Sequence, residues 1–551
     1  MVVEVIFEVY EPGSGRIIVE PRDKVTEDVI TSIKYAIVLS SIIVGFNYTL
    51  YDYRYVFRTN FKVEGLSATL GFVLGFLGFL RNESTVNFAA TGLVSPYGTI
   101  GLVSGIGAKY IAARGRGLSL VIGPIYGVNW TSYRGVPDIF TAYRTAYKHS
   151  LLTSISNDSF PETNLTNIYN RAFNESTIEL YGLINNTIEK LVELGIDYTS
   201  NDGFRLLNYS LKHYRKGRYY TASSYAFRSY YTLYSLYLDA LRRLDNVEYN
   251  IVVRNEVNSL LRDIMNLTSI IKQYSSSSKN IDLWNLDVLM NSYERINIAL
   301  NLLTQFINSG YIDTDSLALS KARVITAKQW LKLFRSMSNE SEYVLNSSTI
   351  EKTKLLLKTY CSLCNEYLSY VFPGLGWGVI DCSSIDMEGV LGLIEFNQQL
   401  NTIYRVFETG VSRSIYEEYY RLGDIYELMK TIREITLYLY ENTHQQIPSL
   451  ISVMELTNSY IEDGENISMV AYMLTSNIPS AVIHIVLVNS SKNNTWIITP
   501  PLNTTKTQEH VEISLGLTHR VPIVTILLIF LTALLSSLII IIYVIVRSSR
   551  E

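Results

Sequence analysis

The sequence is poor in cysteine and in charge, and each shortage excludes a class of protein. The 551 residues contain three cysteines, too few for a disulfide framework, although the spacing of Cys361, Cys364 and Cys382 allows one local bridge. A metal site would need a fourth ligand that this spacing does not offer. Charged residues make up 18% of the chain and the formal net charge is −4, which excludes a strongly basic nucleic-acid-binding protein and an acidic disordered chain.

Motifs for nucleotide and metal chemistry are also missing. No Gly-Lys dipeptide occurs, so the sequence has no phosphate-binding loop of the GxxxxGK[ST] type. None of the six histidines lies in an HExxH motif, and none accompanies a serine in a GxSxG elbow. We therefore expect no nucleotide, no metal and no other cofactor, and nothing favours a Ser/His/Asp hydrolase.

A long uncharged run near the C-terminus predicts a membrane anchor. Residues 521–546 (VPIVTILLIFLTALLSSLIIIIYVIV) would form a helix of about 39 Å, enough to cross a bilayer. A buried core helix is the weaker alternative, because globular helices of this length almost always carry a polar face. Arg547 and Arg550 favour a cytoplasmic tail at 547–551, although Arg520 on the other flank weakens this bias.

Asn-x-Ser/Thr sequons favour an extracellular location for the residues before the anchor. Fifteen occur, whereas 38 asparagines and this Ser/Thr content would give about six by chance. No signal peptide is visible after Met1. Either the sequence begins after processing or at a late start codon, or the protein is tail-anchored and faces the cytosol. The glycosylation candidates are Asn129, Asn164, Asn174, Asn208, Asn339 and Asn466.

Hydrophobic patterning predicts an α+β domain over residues 1–130. Within it, Leu66–Leu80 is apolar all round and too short to span a membrane, which indicates a buried core helix. In the remaining segments, apolar and polar residues either alternate, as in a strand, or recur with helical periodicity. The predicted strands are Val2–Tyr10, Arg16–Val19, Tyr53–Val63 and Leu118–Ile122, and the predicted helices are Val25–Phe46 and Ile106–Arg114.

The rest of the sequence predicts a multidomain protein, with further segments between the first domain and the membrane anchor. Long helical periodicities rich in Tyr and Leu predict a large all-α domain at 138–446. A membrane-proximal segment at 447–498 follows, with a small β element predicted at Ala481–Val488 from its alternating apolar run. Residues 499–520 read as a polar stalk before the span at 521–546.

One serine and one lysine in the first domain could form a catalytic pair. Ser67 opens the apolar helix directly after a strand, where free N–H groups and the helix dipole favour a developing oxyanion. Lys109 lies on a helix whose apolar face we assign to Ile106, Ile111 and Ala112, and a desolvated lysine can act as a base near neutral pH. Taken alone, Ser67 is better explained as a helix N-cap, and Lys109 as a lysine whose stem lies along the protein surface.

The order of the surrounding motifs resembles the Lon-type serine protease domain over roughly residues 2–124. That family has a D-G-P-S-A-G motif with the nucleophile, then T-G-E, then a glycine-rich turn and a helix with the lysine, then A-A-x-x-x-G and a strand ending in proline. The counterparts here, in the same order and with similar spacing, are Glu64-Gly65-Leu66-Ser67-Ala68-Thr69, Thr91-Gly92-Leu93, Gly105-Ile106-Gly107-Ala108-Lys109, Ala112-Ala113 to Gly117, and Val121-Ile122-Gly123-Pro124.

The resemblance implies a role for four residues. Ser67 would be the nucleophile, Lys109 the general base, Thr91 a hydrogen-bond partner that steadies the lysine, and Glu64 the acidic residue before the serine. The sequence departs from the family at three positions, where Leu66, Thr69 and Leu93 replace proline, glycine and glutamate, so the cleft geometry can differ. The ATP-driven unfoldase of true Lon enzymes is missing, as in the membrane-anchored Lon-like proteases of archaea.

Three functions remain open at this point. The first is a surface-anchored, ATP-independent serine endopeptidase that hydrolyses peptides or unfolded proteins. The second is a catalytically inactive, glycosylated cell-surface scaffold or adhesion protein. The third is a cytosolic, tail-anchored protease, which the missing signal peptide motivates. Lon-type domains commonly form rings, so a homo-oligomer is compatible with the resemblance, but no residue pattern here favours or opposes one.

Overall fold

A computed structural model describes residues 3–83, 87–152, 165–277, 280–334, 344–372, 380–407 and 420–492. The described part is mostly helical, with a few small sheets. The predicted stalk, membrane span and cytoplasmic tail, together with Asn164 and Asn339, lie outside these residues.

The first sheet forms from three N-terminal strands, β1 (Glu4–Tyr10), β2 (Ile17–Glu20) and β3 (Asp52–Arg58). Their order is β1-β3-β2, with β3 antiparallel to β1 and parallel to β2. The sequence predicted all three, but it extended the third strand to Val63. The chain leaves the sheet after Arg58, and Val63 instead forms an isolated parallel bridge with Val25.

Helix α1 (Glu27–Val44) and helix α2 (Thr69–Leu80) are both largely buried, as their apolar sequences predict. A short 3-10 turn, Leu66–Ala68, leads directly into α2. Helix α2 packs on α1 and on the second sheet, and most of its apolar surface is covered by the protein, although Phe79 is 44% exposed. The prediction of a buried core helix at Leu66–Leu80 is therefore confirmed.

The second sheet holds the elements of the predicted serine–lysine pair. It contains β4 (Phe88–Ala90), β7 (Leu120–Gly123) and β8 (Tyr133–Gly135), all parallel and in the order β4-β7-β8. A two-stranded pair follows β4 and leads into the next helix. That pair and helix are β5 (Leu93–Val94), β6 (Ile100–Gly101) and α3 (Ile106–Gly115).

The predicted all-α region is confirmed as helical, with one small two-stranded pair, β9 (Asn280–Ile281) and β10 (Leu345–Asn346). A disulfide joins Cys361 to Cys382, which is the single local bridge that the cysteine spacing allows. The helices are α4 (Ile139–Tyr147), α5 (Leu165–Glu193), α6 (Asp202–Arg215), α7 (Tyr219–Leu244), α8 (Asn246–Ser277), α9 (Leu283–Ser309), α10 (Thr314–Leu331), α11 (Ser347–Val371), α12 (Leu391–Phe407), α13 (Leu422–Thr443), α14 (Pro448–Glu462), α15 (Ile467–Thr475) and α16 (Ile478–Lys492).

The β element predicted at Ala481–Val488 is wrong, because this stretch lies inside helix α16. Nearly every side chain of α16 is buried, so no polar face marks the helical period, and a short apolar run then reads equally well as a strand. Together α15 and α16 form the one apolar stretch in the described residues long enough to cross a membrane, Ile467–Lys492, with mean hydropathy 1.5. Since 72% of its most apolar window is buried in the protein, it is weak evidence for a span.

One continuous hydrophobic core joins the N-terminal sheets to the helical region. Polar contacts reinforce this junction where α4 meets α13. The carboxylate of Asp138 accepts hydrogen bonds from Thr141 N (2.7 Å) and from Thr431 Oγ1 (3.2 Å), and Arg144 forms an ion pair with Glu434 (2.6 Å). The predicted end of the first domain, residue 130, and the predicted start of the helical domain, residue 138, therefore lie in a stretch that packs against both regions.

Asp138 predicts a dependence of stability on pH. Burial raises the pKa of this carboxyl from 3.8 to about 6, against the opposing effect of the Arg144 guanidinium. A raised pKa means that the stabilising contribution is complete below pH 3.8 and is lost as the pH rises through 6. Between pH 3.5 and 7, wild type should lose on the order of 2–3 kcal/mol of unfolding free energy relative to Asp138→Asn.

Chemical denaturation of both proteins at a series of pH values checks this. Asp202→Asn, at an exposed carboxylate in the first turn of α6, is the matched control, and its difference from wild type should change little with pH. A difference for Asp138→Asn that stayed constant with pH would contradict the assignment.

Candidate functional site

The turn that carries Ser67 is fixed by a carboxylate on α1. Gly65 N donates a hydrogen bond to Asp28 Oδ2 (2.8 Å), and Val29 N donates to Asp28 Oδ1 (2.9 Å). Gly65 has φ +89° and ψ 151°, a conformation that residues with a Cβ rarely adopt. Asp28 and Gly65 together therefore determine how the chain enters the Leu66–Ala68 turn. Asp28 has no distinctive sequence signal, because an acid in the first turn of a helix is ordinary.

Ser67 is docked at the end of β4. Its carbonyl oxygen accepts hydrogen bonds from Gly92 N (2.9 Å) and from Thr91 Oγ1 (3.0 Å). Thr91 N in turn donates to Ile122 O on β7 (3.0 Å), and Leu70 N donates to Gly92 O (3.2 Å). These bonds hold the serine main chain at the edge of the sheet where β4 and β7 end. Ser67 itself is half-buried.

One main-chain N–H group at this turn, that of Ser67, has no acceptor among the described residues. The Ser67 hydroxyl likewise makes no hydrogen bond within the described part of the chain. Free N–H groups at the start of a helix carry partial positive charge and can stabilise an oxyanion. The turn thus has one free N–H donor beside a hydroxyl without a partner, a combination that suits nucleophilic acyl transfer.

Lys109 is the fourth residue of α3 and is half-buried. The buried face of α3 is formed by Ile106 and Ala113, which pack with Val121, not by Ile111 as expected, since Ile111 is 71% exposed. Lys109 lies between Ile106 and Ala113 on the same side of the helix. Burial lowers the pKa of the Lys109 ammonium, and this group has no ion pair or hydrogen bond with any described residue.

The elements that carry Ser67 and Lys109 pack on opposite faces of the second sheet. Ala89 of β4 packs toward α3, whereas its neighbours Phe88 and Ala90 pack toward the core that contains α2. Because α3 leads into β7 and packs with Val121 of that strand, we expect α3 to run back along β7, with its first turn toward the edge where Ser67 is docked. No hydrogen bond joins Ser67 Oγ to Lys109 Nζ in the structure.

The two supporting residues are arranged differently from expectation. The Thr91 hydroxyl donates to the Ser67 carbonyl and makes no hydrogen bond to Lys109, so Thr91 positions the serine turn instead of steadying the lysine. Glu64 is exposed and forms no ion pair among the described residues. Within these residues no group of three or more His, Cys, Asp and Glu side chains is arranged to hold a metal ion.

No protein-family model matches this chain, and no curated protein is similar to it at a significant level. The resemblance to the Lon-type domain therefore depends on the motif order in the sequence alone.

Gly65 offers a test of the turn that carries Ser67. Gly65→Ala should cost on the order of 1–3 kcal/mol of unfolding free energy, because alanine is strained at φ +89° although its Cβ would meet no atom within 4 Å. Gly75→Ala is the matched control, since Gly75 also has open space but lies in the interior of helix α2. There alanine should stabilise by about 0.5–1 kcal/mol.

Denaturant unfolding of the full-length chain in detergent measures both changes. Equal effects at the two glycines would show that the backbone conformation of Gly65 is not the constraint proposed for this turn.

Proposed function

We propose that this protein is a membrane-anchored, ATP-independent serine endopeptidase that hydrolyses peptides or unfolded proteins with a Ser67/Lys109 dyad. The observation that carries the proposal is the Lys109 amine, which is half-buried, has no partner among the described residues and is lowered in pKa by burial. A lysine whose role is solubility would be exposed, and a lysine whose role is an ion pair would have an acidic partner. A lysine that can lose its proton is suited to act as a base.

The chemistry follows from these groups. Neutral Lys109 accepts the Ser67 hydroxyl proton as Oγ attacks the peptide carbonyl, and the N–H group of Ser67 binds the resulting oxyanion. The Lys109 ammonium then gives its proton to the departing amine, which leaves an acyl ester on Ser67. Lys109 next takes a proton from water, the hydroxide attacks the ester, and the serine recovers its proton as the acid product leaves.

The missing hydrogen bond between Ser67 and Lys109 is compatible with this mechanism. Catalytic hydrogen bonds are often long without substrate and shorten in the Michaelis complex. The lysine has a flexible four-carbon stem and no partner among the described residues, so no contact holds its amine in another position.

We further propose that the span lies at 521–546 and that most of the chain is extracellular. Exposed sequons support this side of the membrane. Asn129, Asn208 and Asn466 are exposed, and Asn174 is half-buried with its Oδ1 accepting a hydrogen bond from Tyr214. A glycan needs such exposure, because it adds a large hydrated group.

A second candidate function is an inactive, glycosylated cell-surface scaffold. It is favoured by the absence of a bond between Ser67 and Lys109 and by Thr69, which stands where the resemblance expects glycine. Thr69 is fully buried, and its hydroxyl donates to Leu66 O (2.6 Å) and lies 3.4 Å from Tyr367 Oη of α11. The turn is thus tied to the helical region in a way that limits its movement.

Substitution of the dyad distinguishes the two functions. Ser67→Ala and Lys109→Ala should each lower peptide hydrolysis by about 10³-fold or more and abolish labelling by a peptidyl phosphonate. Lys109→Arg should be equally inactive, because arginine keeps its proton. The hydrolysis rate of wild type should rise with pH as the amine of Lys109 becomes neutral.

Ser119→Ala, at an exposed serine on the other end of the same sheet, and Lys62→Ala, at an exposed lysine, are matched controls that should retain activity. Hydrolysis and labelling that persisted in Ser67→Ala would exclude the dyad. A wild-type protein that neither cleaves peptides nor reacts with the phosphonate, although it is folded and Gly65 and Asp28 hold the serine turn, would favour the scaffold function.

Glycan mapping tests the proposed side of the membrane. In a host that glycosylates asparagine, mass spectrometry should find glycan at exposed Asn129 and Asn208 and none at Asn47 and Asn489. Those two are buried, and Asn489 Nδ2 donates to the carbonyls of Ile42 and Ile43, at 3.0 Å each. A chain without any glycan would instead support the cytosolic, tail-anchored alternative.

A further inference from the structure

A cavity of about 610 Å³ lies in the helical region, away from the serine turn. Helices α5, α7, α9, α10, α12, α14 and α15 line it, and no residue of the second sheet, α2 or α3 is among the lining residues. Cavities that bind small molecules are typically of this size and are formed between helices in bundles. The volume accommodates a ligand with one or two aromatic rings.

Three arginines line this cavity, Arg228, Arg295 and Arg323, whereas Glu294 is the one acidic residue among the lining residues. Each comes from a different helix, so the folded bundle brings the positive charges together. Arg228 forms an ion pair with Glu465 (3.2 Å), which is not one of the lining residues. Like charges gathered in a partly closed space repel one another, and a bound anion relieves that repulsion.

Arg295 is held so that part of its guanidinium remains available. Its Nη1 donates to Asn291 O (2.7 Å), and its guanidinium carbon lies 4.6 Å from the centre of the Trp330 ring. Its Nε is buried and has no hydrogen-bond partner among the described residues. A buried N–H without an acceptor is costly, and an oxyanion bound beside the guanidinium would offset part of that cost by its charge.

The remaining wall is aromatic and apolar. Phe173 and Tyr220 pack around Trp330, and Met469 and Met473 come from α15 on the other side. Arginine beside aromatic rings is suited to bind a planar oxyanion while the rings contact an apolar body. Methionines adapt to ligands of irregular shape.

We propose that this cavity binds a small anionic ligand with an aromatic body and a carboxylate or phosphate head, with Arg295 contacting the head and Trp330 and Tyr220 contacting the body. This site is separate from the proposed peptidase site and does not depend on it. The shared chemistry is an oxyanion on an aromatic group, and the experiment distinguishes the two kinds of head.

Isothermal titration of the full-length chain in detergent, with matched detergent blanks, tests the proposal with 1-naphthyl phosphate, 1-naphthaleneacetate, 1-naphthalenemethanol and inorganic phosphate. One or both aromatic anions should bind at least about tenfold more tightly than the neutral alcohol and than inorganic phosphate. The tighter of the two anions identifies the head. Equal affinity for the alcohol, or no binding of either anion, would overturn the proposal.

Two substitutions locate the binding. Arg295→Gln should weaken the aromatic anion at least about tenfold and leave the alcohol unchanged, whereas Arg171→Gln, at an exposed arginine of α5, should change neither. Ser224→Trp fills the cavity while keeping all three arginines, and it should abolish binding of the anion. If Arg295→Gln does not fold, Ser224→Trp decides the matter, and unchanged binding there would place the anion elsewhere.

Discussion

The structure depends most on the enclosure of helix α1. This helix packs against α2 on one side and against α11 and α16 on the other, and most of its side chains are buried. Tyr35 of α1 stacks on Tyr367 of α11 with ring centres 4.3 Å apart, and Asn489 of α16 bonds two carbonyls near the end of α1. The same helix carries Asp28, which fixes the turn before Ser67. The serine turn is therefore part of a core shared with the helical region.

The N-terminal elements could be predicted from sequence because their signals are local. Alternation marks β1 and β3, helical periodicity marks α1, and an apolar segment too short for a membrane marks α2. Ala481–Val488 was wrongly predicted because a helix buried on every side has no polar face to reveal its period. The packing of Tyr367 against Tyr35 could not be predicted either, since these residues are far apart in the chain and no spacing pattern links them.

For the candidate sites as well, local features could be predicted from the sequence and contacts between distant elements could not. The position of Ser67 at a helix start and of Lys109 on a half-buried helix follows from short motifs, and the structure has both. That Thr91 bonds the serine carbonyl, and that Asp28 holds Gly65, depends on contacts between separate elements. The arginine-lined cavity had no sequence signal at all, because its arginines lie on three helices. Such a site is visible only when the helices have been assembled, and the same holds for the Lys109 amine, which has no partner in the described part of the chain.

A structure of the protein treated with a peptidyl phosphonate would show whether Ser67 and Lys109 act on one carbonyl, as we propose. Ser67 Oγ should be bonded to phosphorus, with a phosphonyl oxygen about 2.7–3.1 Å from the N–H group of Ser67. Lys109 Nζ should lie within about 2.6–3.2 Å of Oγ. An adduct on another residue, or an adduct on Ser67 with Lys109 Nζ out of hydrogen-bond reach of Oγ, would show that the two residues do not form a dyad.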